Sequence, residues 1–318
     1  MRGEERLSAQ AGVGIVLRRG QEVSLRKRQG GVIETSESVE TFTAGDGYCW
    51  RYRRYEPPAD ALARIVCVHG IQSHGGWYEH SCRYLAASGF SVYFLDRRGS
   101  GLNEQDRGDV SSFRRLLDDI AEFLRWLHGQ GDQTKTFLLA VSWGGKLAAA
   151  LQRRHPGLVD GLALLCPGFC SRVRPGLRER LRILWAWLTA PRRLFPIPLD
   201  DPELFTATPH WQQFLREDTR SLHLATARFL VGSVRLDAYL RFVRRHVHVP
   251  ILLMLAGHDR IIDSARTRAY VERFATTDRE VIEYPEAHHT LEFEPDPDIF
   301  LQDLRRWLLR QIGRTGEQ

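Results

Sequence analysis

Two hydrophobic rhythms alternate along the chain. Uninterrupted apolar runs at 65–68, 92–95, 137–141, 162–165 and 251–256 have the length of strands buried on both faces, and 281–284 reads as a last, shorter one. Between them the period changes. Phe113, Leu116, Leu117, Ile120, Phe123, Leu124 and Leu127 recur at three- and four-residue spacing and predict one face of a helix ending near Gly129. Further helices are expected over 78–87, from Lys146 to before Pro156, over 265–274, and at the C-terminal side, where Phe300, Leu304, Trp307, Leu308 and Ile312 form a stripe. Upstream, 39–43 and 48–55 flank Ala44-Gly45-Asp46-Gly47 and predict a hairpin.

Strands alternating with helices predict an α/β fold, a mostly parallel central sheet covered by helices on both faces. In such sheets sites lie beyond the carboxyl ends of the strands. Residues 167–247 break the alternation with helical patterns, prolines and no convincing strand, so they read as an inserted helical cap. The organisation expected is an N-terminal extension over 1–30, core over 31–166, cap over 167–247 and core again over 248–318. Within the cap, Leu177, Leu181, Leu184, Trp185 and Leu188 form an apolar stripe amid Arg172, Arg174, Arg178, Arg180, Arg182, Arg192 and Arg193. Either that stripe packs on the core, or a basic amphipathic helix touches lipid.

Composition narrows the classes. The net charge of +6 comes from arginine, with lysine at Lys27, Lys135 and Lys146 alone, and charges of both signs are interspersed, which argues for a solvated surface and against a nucleic-acid stripe. No apolar run reaches bilayer length and the first ten residues are polar, so a cytoplasmic protein is expected. Five cysteines without a C-x-x-C pair are expected as free thiols, Cys166 and Cys170 as small buried hydrophobes rather than a bridge or metal pair.

The candidate chemistry sits at three strand exits. Ser142 follows the 137–141 run, with Ala140 before it and Gly144 after it small enough for a strained turn that would push its hydroxyl clear of the sheet. Asp259 follows the 251–256 run, with Asp263 as the rival carboxylate, more readily a helix cap. His288 and His289 follow the last strand. An imidazole can take the serine proton if a carboxylate holds its tautomer, and the order serine, aspartate, histidine is that of α/β-hydrolases. His258, His288 and His289 near Asp259 could imitate a metal cluster, but the triad accounts for them, and no metal or organic cofactor is expected. After the 65–68 strand, the glycines of His69-Gly70-Ile71-Gln72-Ser73-His74-Gly75-Gly76 leave backbone N–H groups near Ile71 and Gln72 free for a ligand.

These residues resemble the α/β-hydrolase superfamily, specifically its monoacylglycerol lipase and lysophospholipase-like branch, grouped with serine aminopeptidase-like hydrolases. The likeness spans 41–309 and rests on His69-Gly70 with His74 and Tyr78, Asp96 with Gly99 and Gly101, Arg107-Gly108, Ser142 in its turn, Asp259-Arg260 with Asp263, and His289-Thr290-Leu291 followed by Glu294. The resemblance implies Ser142 as nucleophile, Asp259 as acid and His289 as base, His289 being preferred to His288 because the branch's base precedes a small or branched residue, an apolar one and then a glutamate. It implies the backbone N–H groups of Ile71 and Trp143 as oxyanion donors. Ala140 stands where the branch usually has glycine, and the cap matches in position more than in residues. The implied function is hydrolysis of carboxylic esters through an acyl-enzyme, on mono-acyl lipids such as monoacylglycerols or lysophospholipids. Alternatives are acyl transfer or peptidase chemistry on the same triad, or a silent binding protein of the same fold. The expected partners are a small-molecule or lipid ester and, through the cap, a membrane surface, with no nucleic acid.

Overall fold

The computed structural model describes residues 35–131 and 134–313; the N-terminal extension expected over 1–30 lies outside them. In chain order the elements are β1 (Ser36–Thr43), β2 (Cys49–Glu56), β3 (Ala63–Val68), α1 (Glu79–Ala87), β4 (Phe90–Leu95), α2 (Phe113–His128), β5 (Thr136–Val141), α3 (Trp143–Arg154) and β6 (Gly161–Leu165). Then come α4 (Leu177–Thr189), β7 (Leu194–Pro196), α5 (Pro209–Glu217), β8 (Leu224–Thr226) and α6 (Ala227–Leu240), followed by β9 (Ile251–Ala256), α7 (Ser264–Val271), β10 (Arg279–Tyr284) and α8 (Asp298–Gly313).

Eight strands form one sheet in the order β1-β2-β4-β3-β5-β6-β9-β10. The hairpin β1/β2 joins β4 antiparallel, and every later pairing is parallel. Strands β3, β4, β5, β6 and β9 are buried along their whole length, as their unbroken apolar runs require, whereas the edge strand β10 is half-buried. Helix α2 starts where the Ser112 side chain accepts from Arg115 N–H, and it buries the full predicted stripe. Adjacent parallel strands bring the exits of β3, β5, β9 and β10 to one edge of the sheet. Among the described residues no helix is long and apolar enough to cross a membrane.

Three expectations are corrected. Helix α3 begins at Trp143, not Lys146, so Gly144 and Gly145 lie inside its first turn. A Cβ on Gly144 would stand 2.6 Å from Val68 O, and one on Gly145 2.6 Å from Pro167 Cβ; the glycines are there for close helix–strand approach. Residues 167–247 do contain strands, since β7 and β8 pair as an antiparallel ribbon. Lastly, the apolar stripe of α4 does not pack on the core. Leu177, Leu181, Leu184, Trp185 and Leu188 are 73, 59, 48, 68 and 65 % exposed, and the helix docks instead through Ile183 and Ala186 against Phe195 and Ala227.

Segments between β6 and β9 are tied to the core by polar clamps. Asp218 accepts from Trp77 Nε1 at 2.7 Å, Ser221 Oγ at 2.6 Å and His74 Nε2 at 2.9 Å, and these partners hold its carboxyl well below the usual range against the opposing effect of burial. Arg107 donates to Arg220 O and Ser221 O, while Gly108, at φ 73°, has Leu224 O where a Cβ would go. Asp109 accepts from Thr226 and Arg228.

Candidate active site

Ser142 sits at φ 52°, ψ −122°, a backbone state that L-residues avoid and that costs on the order of 1–3 kcal/mol. Neighbouring backbone holds it there: Ser142 N–H donates to Leu165 O at 2.9 Å, and Ser142 O accepts from Gly145 and Gly168. The turn is possible because Ala140, Gly144 and Gly70 are small; a Cβ on Gly70 would come within 3.3 Å of Ser142 Cβ. Alanine at 140 fits fully buried in β5.

Ser142 Oγ lies 2.8 Å from His289 Nε2, and His289 Nδ1 lies 2.7 Å from Asp259 Oδ2. The other oxygen of Asp259 accepts from the N–H groups of Ile261 and Ile262, both at 2.8 Å. A carboxylate so held is an acceptor only, which places the His289 proton on Nδ1 and leaves Nε2 free to accept from the serine. Asp263 caps α7 by accepting from Arg266 N–H, and His288 turns to Glu294, whose carboxylate accepts its backbone N–H at 2.7 Å. Cys166, at φ 42° and fully buried, brings a thiol within 4.8 Å of the ligating atoms of Asp259 and His289. Burial pushes that thiol well above its usual pKa, so it stays protonated. All five cysteines are free.

Backbone N–H groups of Ile71 and Trp143 have no acceptor among the described residues, and both residues line the cavity that contains Ser142. Strand-exit chemistry fixes the Ile71 segment. Burial keeps His69 neutral; its Nε2 accepts from Arg97 N–H at 2.9 Å, so Nδ1 carries the proton given to Gly70 O at 2.8 Å. Gly70 N–H donates to Ser73 Oγ, which also accepts from Tyr78. Asp96, fully buried, accepts from Arg53, Gly75 N–H and Leu102 N–H, and Gly101 has no room for a Cβ against it.

Sequence reasoning assigns nothing to Arg97, yet its guanidinium donates to Gly70 O at 3.1 Å and Ile71 O at 2.7 Å and lies 5.0 Å over the Trp143 ring. It is 6 % exposed, and its Nε and Nη1 find no partner among the described residues; burial draws its pKa down to about 9. Adjacent Arg98 turns away from this segment, to Asp119 and Asp46. Two consecutive arginines at a strand exit give no sequence signal for which one faces inward.

The cavity measures about 620 Å³. Its walls are apolar side chains from α4 and α6 with Phe169, Ile197, Leu199 and Ile262, and Lys146 reaches Asp237 across it at 2.5 Å.

A family model described as serine aminopeptidase, S33 (Hydrolase_4) matches residues 58–296. A monoacylglycerol lipase of Mycolicibacterium smegmatis is 24 % identical over 290 residues, covering 88 % of this chain and 100 % of that protein. Lysophospholipase L2 of Escherichia coli is 30 % identical over 151 residues, 46 % of this chain and 44 % of that one. Among solved structures, a soluble variant of Saccharomyces cerevisiae monoglyceride lipase in complex with a substrate analogue superposes with a TM-score of 0.74 at 17 % identity, covering 86 % of this chain and 96 % of its own. The Paleococcus ferrophilus monoacylglycerol lipase gives 0.73 at 20 % identity, covering 86 % and 99 %.

Proposed function

Because the chain belongs to the serine aminopeptidase S33 family of α/β-hydrolases, we propose that it hydrolyses carboxylic esters of mono-acyl lipids, monoacylglycerols or lysophospholipids, with Ser142 as nucleophile, His289 as general base and Asp259 as its orienting carboxylate. The observation that carries this reading is the continuous chain from Ser142 Oγ through both nitrogens of His289 to Asp259, opening into an apolar cavity.

His289 Nε2 takes the Ser142 proton as the oxygen attacks the acyl carbonyl, and Asp259 stabilises the imidazolium. The tetrahedral oxyanion turns to the N–H groups of Ile71 and Trp143, each worth about 3 kcal/mol to the transition state. His289 then protonates the leaving alcohol, the acyl group stays on Ser142, and water activated by the same imidazole releases the acid. Each step uses side chains and backbone of this chain, with no metal or organic cofactor. Residues 167–247 act as the cap over the site, and the outward face of α4 meets the surface of aggregated lipid, its apolar stripe flanked by Arg178 and Arg182.

Hydrolysis of p-nitrophenyl esters of increasing chain length, wild type beside Ser142→Ala, tests the assignment. Turnover is expected to rise toward medium chains and to fall by about 10⁴-fold or more in the variant. A variant that cleaves at the wild-type rate would remove Ser142 as nucleophile.

A further inference from the structure

We infer that the cavity reads an anionic head group, so that the preferred mono-acyl lipid carries a phosphate with net negative charge rather than neutral glycerol. This deepens the ester-hydrolase reading and rests on it. Besides Ser142, the cavity is lined by four cationic side chains, Lys146, Arg174, Arg180 and Arg241, and by one carboxylate, Asp237. Lys146 and Asp237 neutralise each other at 2.5 Å. The three arginines, each exposed, have no carboxylate within ion-pair distance among the described residues and carry an excess of positive charge along the lining.

Two of them are also held in place. Arg180 Nε donates to Pro175 O at 2.8 Å and Arg174 Nε to Ser171 O at 3.3 Å, which spends the inner nitrogen on the chain and leaves the paired outer nitrogens of each fork unclaimed by protein. That fork is the geometry that matches two oxygens of a phosphate. The rest of the lining is mainly apolar, with Ser171, Ser233 and the neutralised Lys146–Asp237 pair, so the three arginines are where the cavity offers uncompensated positive charge. A neutral glycerol offers them nothing a water does not, whereas a phosphodiester with a neutral second substituent gains the full attraction. The same anionic chemistry also occurs on the surface of a bilayer, and the substrates must separate the two.

The test compares octanoyl lysophosphatidylglycerol with octanoyl monoglyceride, both below their aggregation concentrations, for wild type, the triple variant R174Q/R180Q/R241Q and the charge-conserving R174K/R180K/R241K, with melting temperatures to check folding. Wild type is expected to favour the anionic lipid in kcat/KM by about tenfold, the sum of three partly exposed ion contacts. The preference should shrink several-fold at high salt, vanish in the glutamine variant and persist in part with lysine. Equal turnover of the two lipids by wild type, or a preference untouched by the glutamine variant, would overturn the inference while leaving the hydrolase intact. A preference confined to aggregated lipid would assign the arginines to the bilayer surface and overturn the head-group site. Failure to turn over any ester, p-nitrophenyl esters included, would overturn the hydrolase reading and this inference together.

Discussion

Arg97 is a buried cation whose hydrogen bonds go to two carbonyls of the segment that presents Ile71 N–H. Hydrogen bonds from a charged donor contribute on the order of 1.5–3 kcal/mol, and here they act on the direction in which a peptide faces. Arg97→Met is expected to lower kcat about 10–100-fold with KM nearly unchanged, since a misdirected oxyanion donor matters only when charge develops. Arg97→Lys should recover part of kcat. Arg97→Met leaves the Ile71 carbonyl without its donor, so a stability loss of about 1–3 kcal/mol accompanies the change and kinetics are compared well below both melting temperatures. Steady-state kinetics decides it, and a change in KM alone would show Arg97 to be a binding or packing residue instead. What is legible at this scale is the chemistry at strand exits. Ser142, Asp259 and His289 each follow a buried run, whereas the inward turn of Arg97 over Arg98 depends on the Trp143 ring and the Gly70 and Ile71 carbonyls, which only the fold brings near.

At the scale of elements, α4 docks on its neighbours through a smaller face than the stripe its periodicity shows. Ile183 and Ala186 fit the ribbon and α6, leaving Leu177, Leu181, Trp185 and Leu188 outward, while half-exposed Leu184 lines the cavity. Periodicity singles out the larger stripe and gives no sign of the smaller contact, because that contact depends on the shape of β7 and β8. Those strands escape a sequence reading for a related reason: three residues each, one of them Pro196, leave too little alternation to detect. An outward stripe beside arginines should bind lipid surfaces. Sedimentation with anionic vesicles at low salt is expected to pull the protein down, and Leu181→Ser with Trp185→Ser to weaken partitioning at least tenfold, since each buried side chain contributes about 2 kcal/mol. Wild-type protein that stays in the supernatant, or a variant that binds as well, would remove the contact. The Arg107–Gly108 pair belongs to this scale too. It stands out in the sequence as part of a resemblance, but its partners at Arg220, Ser221 and Leu224 lie more than a hundred positions away.

For the molecule as a whole, the sheet was the most legible part, because parallel strands covered on both faces must be apolar throughout and therefore announce themselves as runs. Its stability should carry a pH signature from Glu292. Burial beneath the histidine loop pushes this carboxyl from 4.5 up to about 6, even though both the N–H and the hydroxyl of Ser81 donate to it. The folded state thus keeps a proton that the unfolded chain gives up near 4.5. Its contribution is fully present below that pH and is lost as pH rises through 6, a change of about 2 kcal/mol. In Glu292→Gln this component disappears, so the difference in unfolding free energy between pH 4 and pH 7.5 should shift by that amount relative to wild type in denaturant titrations. Identical pH dependence in the two proteins would show that Glu292 does not carry it.

The backbone at Ser142 has one more consequence. A residue forced to φ 52° is a standing tension that the surrounding sheet sustains, and glycine would relieve it while deleting the hydroxyl. Thermodynamics and usefulness therefore pull in opposite directions at this position. Selection for sturdiness alone, in a laboratory evolution blind to turnover, would favour Ser142→Gly, a chain that outlasts its parent and, on the proposed mechanism, has lost its nucleophile.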